Sequence, residues 1–217
     1  MREYPKIDTL FERDAEFRLT DKLRRPVLGD ISRWIVTEKI DGTNIRVSLE
    51  HGAGVIEVGG RTANAQIPAD LLKHVYTAIP TAAFAALFNP DSQPGTRITL
   101  FGEGYGAGIQ KGAYYRPDKG FILFDVLIEV GPEAWWQDEE TVTSYAQKLG
   151  IPRVPVLGEW PLETIVERVR AGLSSVAAIT TGQPAEGIVA KTREPLFDRR
   201  GCRLILKLKT RDFTVTE

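Results

Sequence analysis

Glu38-Lys39-Ile40-Asp41-Gly42-Thr43-Asn44 is the stretch of this 217-residue chain on which the interpretation of the fold depends. It continues an alternating run from Trp34 to Ile40 that predicts a strand. A lysine at the end of a strand, beside a glycine turn, is held on a rigid element and can still reach a cleft. Lysine attacks only as the neutral amine, and burial or neighbouring positive charge favours that form. Taken alone, the same residues predict only a hairpin turn with a solvated lysine.

A second basic pattern, Arg203-Leu204-Ile205-Leu206-Lys207-Leu208-Lys209, lies near the C-terminus. Because strand side chains alternate, Lys207 and Lys209 share one face and the leucines share the other. Two ammonium groups on one face repel each other unless solvent or an anion lies between them. The pair is therefore suited to a triphosphate and would favour the neutral form of a third lysine nearby. A sheet with one wet face is the alternative interpretation.

Four further side chains occupy positions at which chemistry is often found. Glu103 precedes a glycine-rich loop and Glu186 begins a strand. A carboxylate at such a position can accept a hydrogen bond from a ribose hydroxyl or bind magnesium. Arg61 follows a hairpin, and its planar guanidinium group can bind phosphate through two hydrogen bonds. Phe121 begins an apolar strand, where an aromatic packs in the core or stacks on a base at a cleft edge. Each residue alone predicts an ordinary surface or core position.

Composition restricts the class of protein. The chain has 28 basic and 29 acidic residues, so a nucleic-acid partner would have to be held by a local patch. The basic window from Arg199 to Arg211 is such a patch, with six basic residues and no acidic one. Cys202 is the only cysteine, which excludes an internal disulfide and a cysteine-based zinc site. With no signal core and no run of about 18 apolar residues, we expect a cytoplasmic protein without a membrane partner.

The order of elements predicts an α+β fold with mostly antiparallel sheets. Strands predominate, and helices occur without regular βαβ alternation. We expect the strand at 34–40 to form hairpins with 44–50 and 54–59. Predicted helices occupy 68–88 with a break at Pro80, 139–149 with Asp138 as cap, and the segment after Pro161. Further strands are predicted at 97–103, 121–129, 186–191 and 203–209.

In order along the chain, these motifs resemble those of the covalent nucleotidyltransferase superfamily of ATP-dependent polynucleotide ligases and mRNA capping enzymes. Lys39-Ile40-Asp41-Gly42 matches the Lys-x-Asp-Gly nucleophile motif. Further matches are Arg61, Phe101-Gly102-Glu103, Phe121-Ile122-Leu123-Phe124-Asp125, Glu186-Gly187-Ile188-Val189-Ala190-Lys191 and Leu206-Lys207-Leu208-Lys209. No single match is specific, but six in the right order are strong.

The resemblance implies the nucleotidyltransferase fold, with mostly antiparallel sheets flanking an ATP cleft, and a role for each matched residue. Lys39 would be the nucleophile that forms a lysyl-AMP from ATP, and Lys207 and Lys209 would neutralise the phosphates. Glu186 would carry Mg²⁺ or Mn²⁺. The resemblance implies a nucleotide-binding set of Glu38, Asn44, Arg61, Glu103, Phe121 and Glu186.

Asn44 favours one branch of the superfamily. Lys-x-x-Gly-x-Asn is similar to the RNA-ligase branch of phage RNA-repair and RNA-editing ligases, whereas DNA ligases and capping enzymes usually have arginine at that place. The sequence therefore predicts an ATP-dependent RNA ligase acting on RNA strand ends or nicks. A DNA ligase, a GTP-dependent capping-type enzyme and a non-sealing nucleotide-binding or self-adenylylating module are the alternatives.

The chain departs from the family pattern after Lys209, where only Thr210 to Glu217 follow. Ligases and capping enzymes usually carry an OB-fold or a helical domain there. We therefore expect residues 1–217 to form a single nucleotidyltransferase (adenylation) domain without that attachment. The loop from Gly104 to Lys119 or a homodimer could supply additional RNA-binding surface.

Overall fold

A computed structural model describes residues 1–213 and divides the chain into two compact units. The first unit comprises Met1–Tyr4 and Asp41–Arg153, and the second comprises Pro5–Ile40 and Val154–Glu217. The boundary between them therefore falls within the Lys-x-Asp-Gly motif. Whether the chain functions as one adenylation domain stays a prediction. Within residues 1–213, no helix is long and apolar enough to cross a membrane.

The strands and helices are numbered here in chain order. The strands are β1 (Phe11–Arg13), β2 (Leu19–Leu23), β3 (Trp34–Glu38), β4 (Thr43–Glu50), β5 (Glu57–Gly60), β6 (Thr96–Gly106), β7 (Lys119–Val130), β8 (Glu133–Trp136), β9 (Val156–Trp160), β10 (Gly187–Lys191) and β11 (Ile205–Lys209). The α-helices are α1 (Ala69–Ala78), α2 (Thr81–Ala85), α3 (Glu139–Leu149) and α4 (Leu162–Ala171).

The first unit is built on a five-stranded sheet in the order β5-β4-β6-β7-β8. All pairings in it are antiparallel. Helices α1, α2 and α3 bury their apolar faces against β4, β6 and β7 in one core cluster. The long pairing of β6 with β7 makes the rigid element that carries Glu103 and Phe121.

The second unit contains a four-stranded antiparallel sheet in the order β11-β10-β3-β9. One face of it packs against α4, and Trp34, Ile188 and Leu206 lie in that core. The short hairpin of β1 and β2 forms a separate two-stranded sheet. The antiparallel α+β fold class predicted from the sequence is confirmed.

Most predicted helix ends are confirmed because their signals are local. The side chain of Asp138 accepts a hydrogen bond from the Thr141 backbone N–H and caps α3. Gly150 ends the same helix in the left-handed conformation (φ 65°), which glycine adopts without steric cost. The chain breaks between α1 and α2 at Pro80, as its missing N–H requires.

The predicted hairpin between the strand at 34–40 and the strand at 44–50 is wrong. β3 pairs with β9 and β10, whereas β4 pairs with β5 and β6 in the other sheet. Every residue of β3 is buried, so the strand requires a neighbour on each side. The chain instead turns at Gly42, which lies directly against the backbone of β6 at Gly104.

Candidate active site

The ends of three neighbouring strands bring the predicted catalytic residues of the second unit together. β10 lies between β3 and β11, and its register pairs Gly187 with Lys209 and Ile188 with Glu38. Lys39 continues β3 and donates its backbone N–H to the carbonyl of Gly187 (3.0 Å). Glu186, Lys39 and Lys209 therefore meet at one edge of the sheet.

Glu186 joins the two lysines. One carboxylate oxygen lies 2.6 Å from Lys39 Nζ, and the other lies 2.6 Å from Lys209 Nζ. All three side chains are largely buried, so water screens the pairs only partly. One carboxylate between two ammonium groups leaves one net positive charge, which suits a polyanionic ligand.

The lysine-bearing face of β11 is the one predicted. Leu204, Leu206 and Leu208 are buried in the core, while Lys207 and Lys209 alternate with them and are partly exposed. The register pairs Lys207 with Val189 of β10. Lys207 and Lys209 therefore lie on the sheet face opposite to α4, and the predicted lysine pair is confirmed as a geometric feature.

Gly187 lets β10 and β11 approach closely at this edge. A Cβ atom there would lie 2.1 Å from the carbonyl oxygen of Leu208, well inside van der Waals contact. A larger residue at this position would push Glu186 away from Lys209. The close packing of β10 and β11 therefore explains why glycine follows Glu186.

Glu38 holds a loop. The residue is 1% exposed, and one oxygen of its carboxylate accepts the backbone N–H groups of Val176 (2.8 Å) and Ala177 (3.0 Å). The hydroxyl of Ser175 donates to its other oxygen. These bonds fix the segment after α4 beside the strand that ends at Lys39. The predicted nucleotide-binding role of Glu38 stays a prediction, and the loop contact is a role that the sequence did not reveal.

The remaining predicted residues belong to the first unit. Asn44 and Glu103 are directly paired across β4 and β6. The Oδ1 atom of Asn44 is buried and has no hydrogen-bond partner among residues 1–213. Such an acceptor carries a desolvation cost that a donor from a ligand would remove. The predicted nucleotide-binding roles of Asn44 and Glu103 stay predictions.

Phe121 and Arg61 differ in exposure. Phe121 is 1% exposed, and its ring lies against Gly102, where a Cβ atom would be 2.3 Å from ring carbon Cε2. Arg61 is exposed immediately after β5 and makes no ion pair with residues 1–213. Stacking by Phe121 and phosphate binding by Arg61 stay predictions.

Two residues that support the motifs, Tyr115 and Arg46, have roles that the sequence analysis missed. The hydroxyl of Tyr115 accepts the backbone N–H of Asp41 (3.3 Å), which ties the 104–119 loop to Asp41. Arg46 is buried and donates to the carbonyl of Gly60 (2.7 Å), the residue before Arg61. Its other contacts are the carbonyls of Met1 and Arg2. The sequence offered one signal for the role of Arg46: it lies two residues beyond Asn44, on the same face of β4.

Acidic neighbours neutralise two of the basic residues in the 104–119 loop. Arg116 pairs with Asp118 at 2.8 Å, and this contact lowers the pKa of the Asp118 carboxyl. Lys119 pairs with Asp70 and lowers the pKa of that carboxyl in the same way. The loop therefore offers less free positive charge than its composition predicts.

A divalent cation fits this chain only together with phosphate. Within residues 1–213, no group of three or more His, Cys, Asp or Glu side chains could hold a metal alone. Magnesium is commonly held by one or two carboxylates plus substrate phosphates, and Glu186 is a carboxylate of that kind. The donor set is therefore compatible with the predicted Mg²⁺ or Mn²⁺.

Structures of the RNA ligase of Naegleria gruberi resemble this chain. A mutant with ATP and manganese is 18% identical, with a TM-score of 0.66 and coverage of 97% of this chain and 62% of that chain. A mutant with AMP and manganese is 19% identical, with a TM-score of 0.66 and coverage of 96% and 62%. The ligase with pyrophosphate is 19% identical, with a TM-score of 0.64 and coverage of 97% and 62%. At this identity the likeness shows a shared fold.

The chain spans 62% of the length of these Naegleria ligase chains. A comparison with curated proteins finds no significant match. Residues 32–209 match the model of the RNA ligase family, and this range contains all six motifs. Because the match extends over well more than half of the sequence, the chain belongs to the RNA ligase family, as the motif order predicted.

Proposed function

We propose that this protein is an ATP-dependent RNA ligase that forms a lysyl-AMP intermediate on Lys39. The observation that carries the proposal is the contact of one carboxylate, Glu186, with both Lys39 and Lys209 at the edge of one sheet. Family membership and the fold shared with an RNA ligase bound to ATP or AMP support it. The motifs are distributed over both units, which supports one adenylation domain.

In the proposed first step, Lys39 Nζ attacks the α-phosphorus of ATP. The bond from nitrogen to phosphorus forms, the α–β phosphoanhydride bond breaks, and pyrophosphate leaves with the electron pair. The attacking amine must lose a proton, and Glu186 is the carboxylate hydrogen bonded to it. Positioning and charge neutralisation dominate such a transfer. Lys207 and Lys209 supply positive charge on the face that Lys39 shares.

In the second step, an oxygen of an RNA 5′-phosphate attacks the phosphorus of the lysyl-AMP, the nitrogen–phosphorus bond breaks, and Lys39 leaves as the amine. In the third step, a 3′-hydroxyl attacks the phosphorus of that 5′-phosphate, the phosphoanhydride bond breaks, and AMP leaves with the electron pair. The proposed substrates are RNA strand ends or nicks, as in RNA repair. A magnesium or manganese ion bound by Glu186 together with the phosphates would neutralise negative charge on the triphosphate. Asn44, Glu103, Arg61, Phe121 and Glu38 are the proposed nucleotide-binding residues.

The intact mass of the protein after incubation with ATP and magnesium tests the first step. We expect an adduct of one AMP on the wild type and none on Lys39→Ala. Lys148→Ala is the matched control, because Lys148 is an exposed lysine on α3 and should leave the adduct unchanged. An adduct that persists in Lys39→Ala contradicts the covalent mechanism.

Two further arms test the nucleotide and the polymer. GTP replaces ATP in the same mass measurement, and a preference for GTP would favour a capping-type enzyme. Sealing of 5′-phosphorylated RNA is then compared with sealing of DNA of the same sequence. We expect RNA to be sealed, and sealing of DNA alone would overturn the assignment.

A further inference from the structure

A groove with a volume of about 590 Å³ lies in the second unit. It is bounded by the β1–β2 hairpin, the end of α4 and the residues that follow β11. None of the predicted nucleotide-binding residues lines it. We call it the hairpin groove, and its basic and aromatic lining includes Arg13, Phe17, Arg18, Arg170, Arg211 and Phe213.

The hairpin presents an aromatic ring to solvent. Phe17 is 78% exposed and has a φ of 62°, a left-handed conformation that bulky side chains rarely adopt. The side chain of Asp14 accepts the backbone N–H of Arg18 (2.8 Å), and Arg13 donates to the carbonyl of Phe17 (2.6 Å). These bonds fix the backbone of the turn, so the ring projects from an ordered turn.

The lining of the groove also contains a cation over a second ring. The guanidinium of Arg170 lies 5.3 Å from the ring centroid of Phe213. Arg170 is exposed and makes no ion pair with any residue in the range 1–213. The groove therefore combines an exposed ring with an uncompensated positive charge. This combination is typical of surfaces that stack bases and contact phosphates of a single strand.

The groove is connected to the lysines of the candidate active site. Asp212 accepts the side chain of Arg13 (2.7 Å) with one oxygen and the backbone N–H of Lys209 (3.2 Å) with the other. Lys209 in turn shares Glu186 with Lys39. A ligand in the groove thus lies against the turn that directly follows the Lys-x-Lys strand.

We propose that the hairpin groove binds single-stranded RNA, with a base stacked on Phe17 and a phosphate on Arg170. This inference rests on the proposed function for its ligand, because RNA ends are the substrate of the proposed reaction. Among the acidic groups in the groove, Glu16 pairs with Arg18 and Asp212 pairs with Arg13. With Asp21, three carboxylates line the groove against the four arginines Arg13, Arg18, Arg170 and Arg211, so its lining keeps a net positive charge. The groove would hold the strand beside the catalytic edge.

Fluorescence anisotropy with a labelled, 5′-phosphorylated single-stranded RNA tests the proposal. Phe17→Asn removes the ring but retains the turn, because asparagine tolerates the left-handed conformation. We expect it to bind RNA about tenfold more weakly, in line with the loss of one stacked base. Phe197→Ala is the matched control, because Phe197 is also exposed in this unit but does not line the groove.

Arg170→Ala tests the phosphate contact. We expect weaker binding and a slope of log affinity against log salt that is smaller by about 0.7, the value for one phosphate on a single strand. Arg168→Ala is the control on the same helix, because Arg168 stacks on Trp160 outside the groove. Unchanged salt dependence in Arg170→Ala contradicts the phosphate contact.

The AMP adduct on Lys39 separates this inference from the proposed function. Phe17→Asn should form the adduct at the wild-type rate while losing RNA affinity. If the wild-type protein forms no adduct but its RNA binding still depends on Phe17, the ligase mechanism is overturned, while RNA binding by the groove is not. Wild-type RNA affinity in Phe17→Asn overturns the groove. If Phe17→Asn loses a concentration-dependent dimer while its RNA affinity is unchanged, the RNA proposal is also overturned, and the groove is a self-association surface.

Discussion

The ammonium group of Lys39 lies 2.6 Å from a carboxylate oxygen of Glu186, on a side chain whose other oxygen binds Lys209. The arrangement arises from register, because β10 is antiparallel to both β3 and β11 and begins where they end. The fold itself therefore orients Lys39, the proposed nucleophile. A second positive charge lies within reach of the same carboxylate.

Glu186→Gln tests the importance of that carboxylate. Glutamine has nearly the same shape but carries no charge, so two ammonium groups would face a neutral amide. We expect adduct formation to slow at least about 100-fold, which is typical for loss of a proton acceptor. The free energy of unfolding should fall by about 1–3 kcal/mol through loss of charged hydrogen bonds. Time-resolved intact mass and urea unfolding measure the two effects.

The control for this substitution is Glu194→Gln, at an exposed glutamate in the loop after β10. It should change neither rate nor stability, because exposed charges contribute little. A wild-type rate in Glu186→Gln would contradict the role assigned to the carboxylate.

Glu38→Gln should weaken the anchor of the loop at 175–177. Glutamine can still accept the two backbone N–H groups with its oxygen, and its NH₂ group can donate to the Ser175 hydroxyl, but the charge of the carboxylate is lost. We expect a loss of about 1–2 kcal/mol of unfolding free energy. Ser175→Ala should lose about 1 kcal/mol, because the two backbone bonds remain. Urea unfolding measures both, and faster hydrogen exchange at Val176 and Ala177 should accompany Glu38→Gln.

A matched control for the loop is Ser174→Ala, at an exposed serine next to Ser175. It should leave stability and exchange unchanged. Equal stability losses for Glu38→Gln and Ser174→Ala would show that the carboxylate is not the anchor of this loop.

Local signals were sufficient for much of the fold. Asp138 and Gly150 delimit α3, and Pro80 separates α1 from α2, because each acts within one turn of chain. Alternation also placed Lys207 and Lys209 on one face of β11. The motif order was enough to identify the family, because it combines residues that are separated by most of the chain.

Pairing between distant strands could not be predicted. The hairpin expected for 34–50 was wrong, since β3 takes its partners from residues more than 100 positions away. The β1–β2 hairpin was missed because its strands are short and largely polar. The loop contact of Glu38 depends on the position of residues 175–177, which no local pattern reveals. Burial of a carboxylate by backbone donors is a property of the folded chain.

His74 makes stability depend on pH. Burial, reinforced by the nearby charge of Arg116 and opposed by Asp118, lowers the pKa of His74 below its ordinary value of 6.5. The unfolded chain therefore binds a proton more readily than the folded chain below about pH 6.5, so stability falls as the pH falls. Urea unfolding at pH 7.5 and pH 5.5 should show a smaller loss for His74→Gln than for the wild type. An equal loss in both proteins would contradict this source of pH dependence.

Gly42→Ala tests the packing of the nucleophile motif. A Cβ atom at this position would lie 2.2 Å from the carbonyl oxygen of Gly104, so the backbone must shift. We expect a loss of about 1–3 kcal/mol of unfolding free energy and a slower AMP adduct. Gly54→Ala is the control, because a Cβ there meets nothing within 4 Å and should change stability by less than about 0.5 kcal/mol. Equal effects of the two substitutions would show that the close approach is not required.

Asn44→Val separates stability from function at a single position. The buried Oδ1 atom of Asn44 has no partner among residues 1–213, and an unpaired buried acceptor costs about 1–3 kcal/mol. Valine suits a strand and removes that cost, so the nucleotide-free protein should be as stable as the wild type or more stable in urea unfolding. If Asn44 accepts a hydrogen bond from the nucleotide, the same variant should form the AMP adduct more slowly. Ser48→Val is the contrasting control, because the hydroxyl of Ser48 is hydrogen bonded to Thr99 and its loss should destabilise the protein. A less stable Asn44→Val with a wild-type adduct rate would assign Asn44 to the scaffold instead of the nucleotide site.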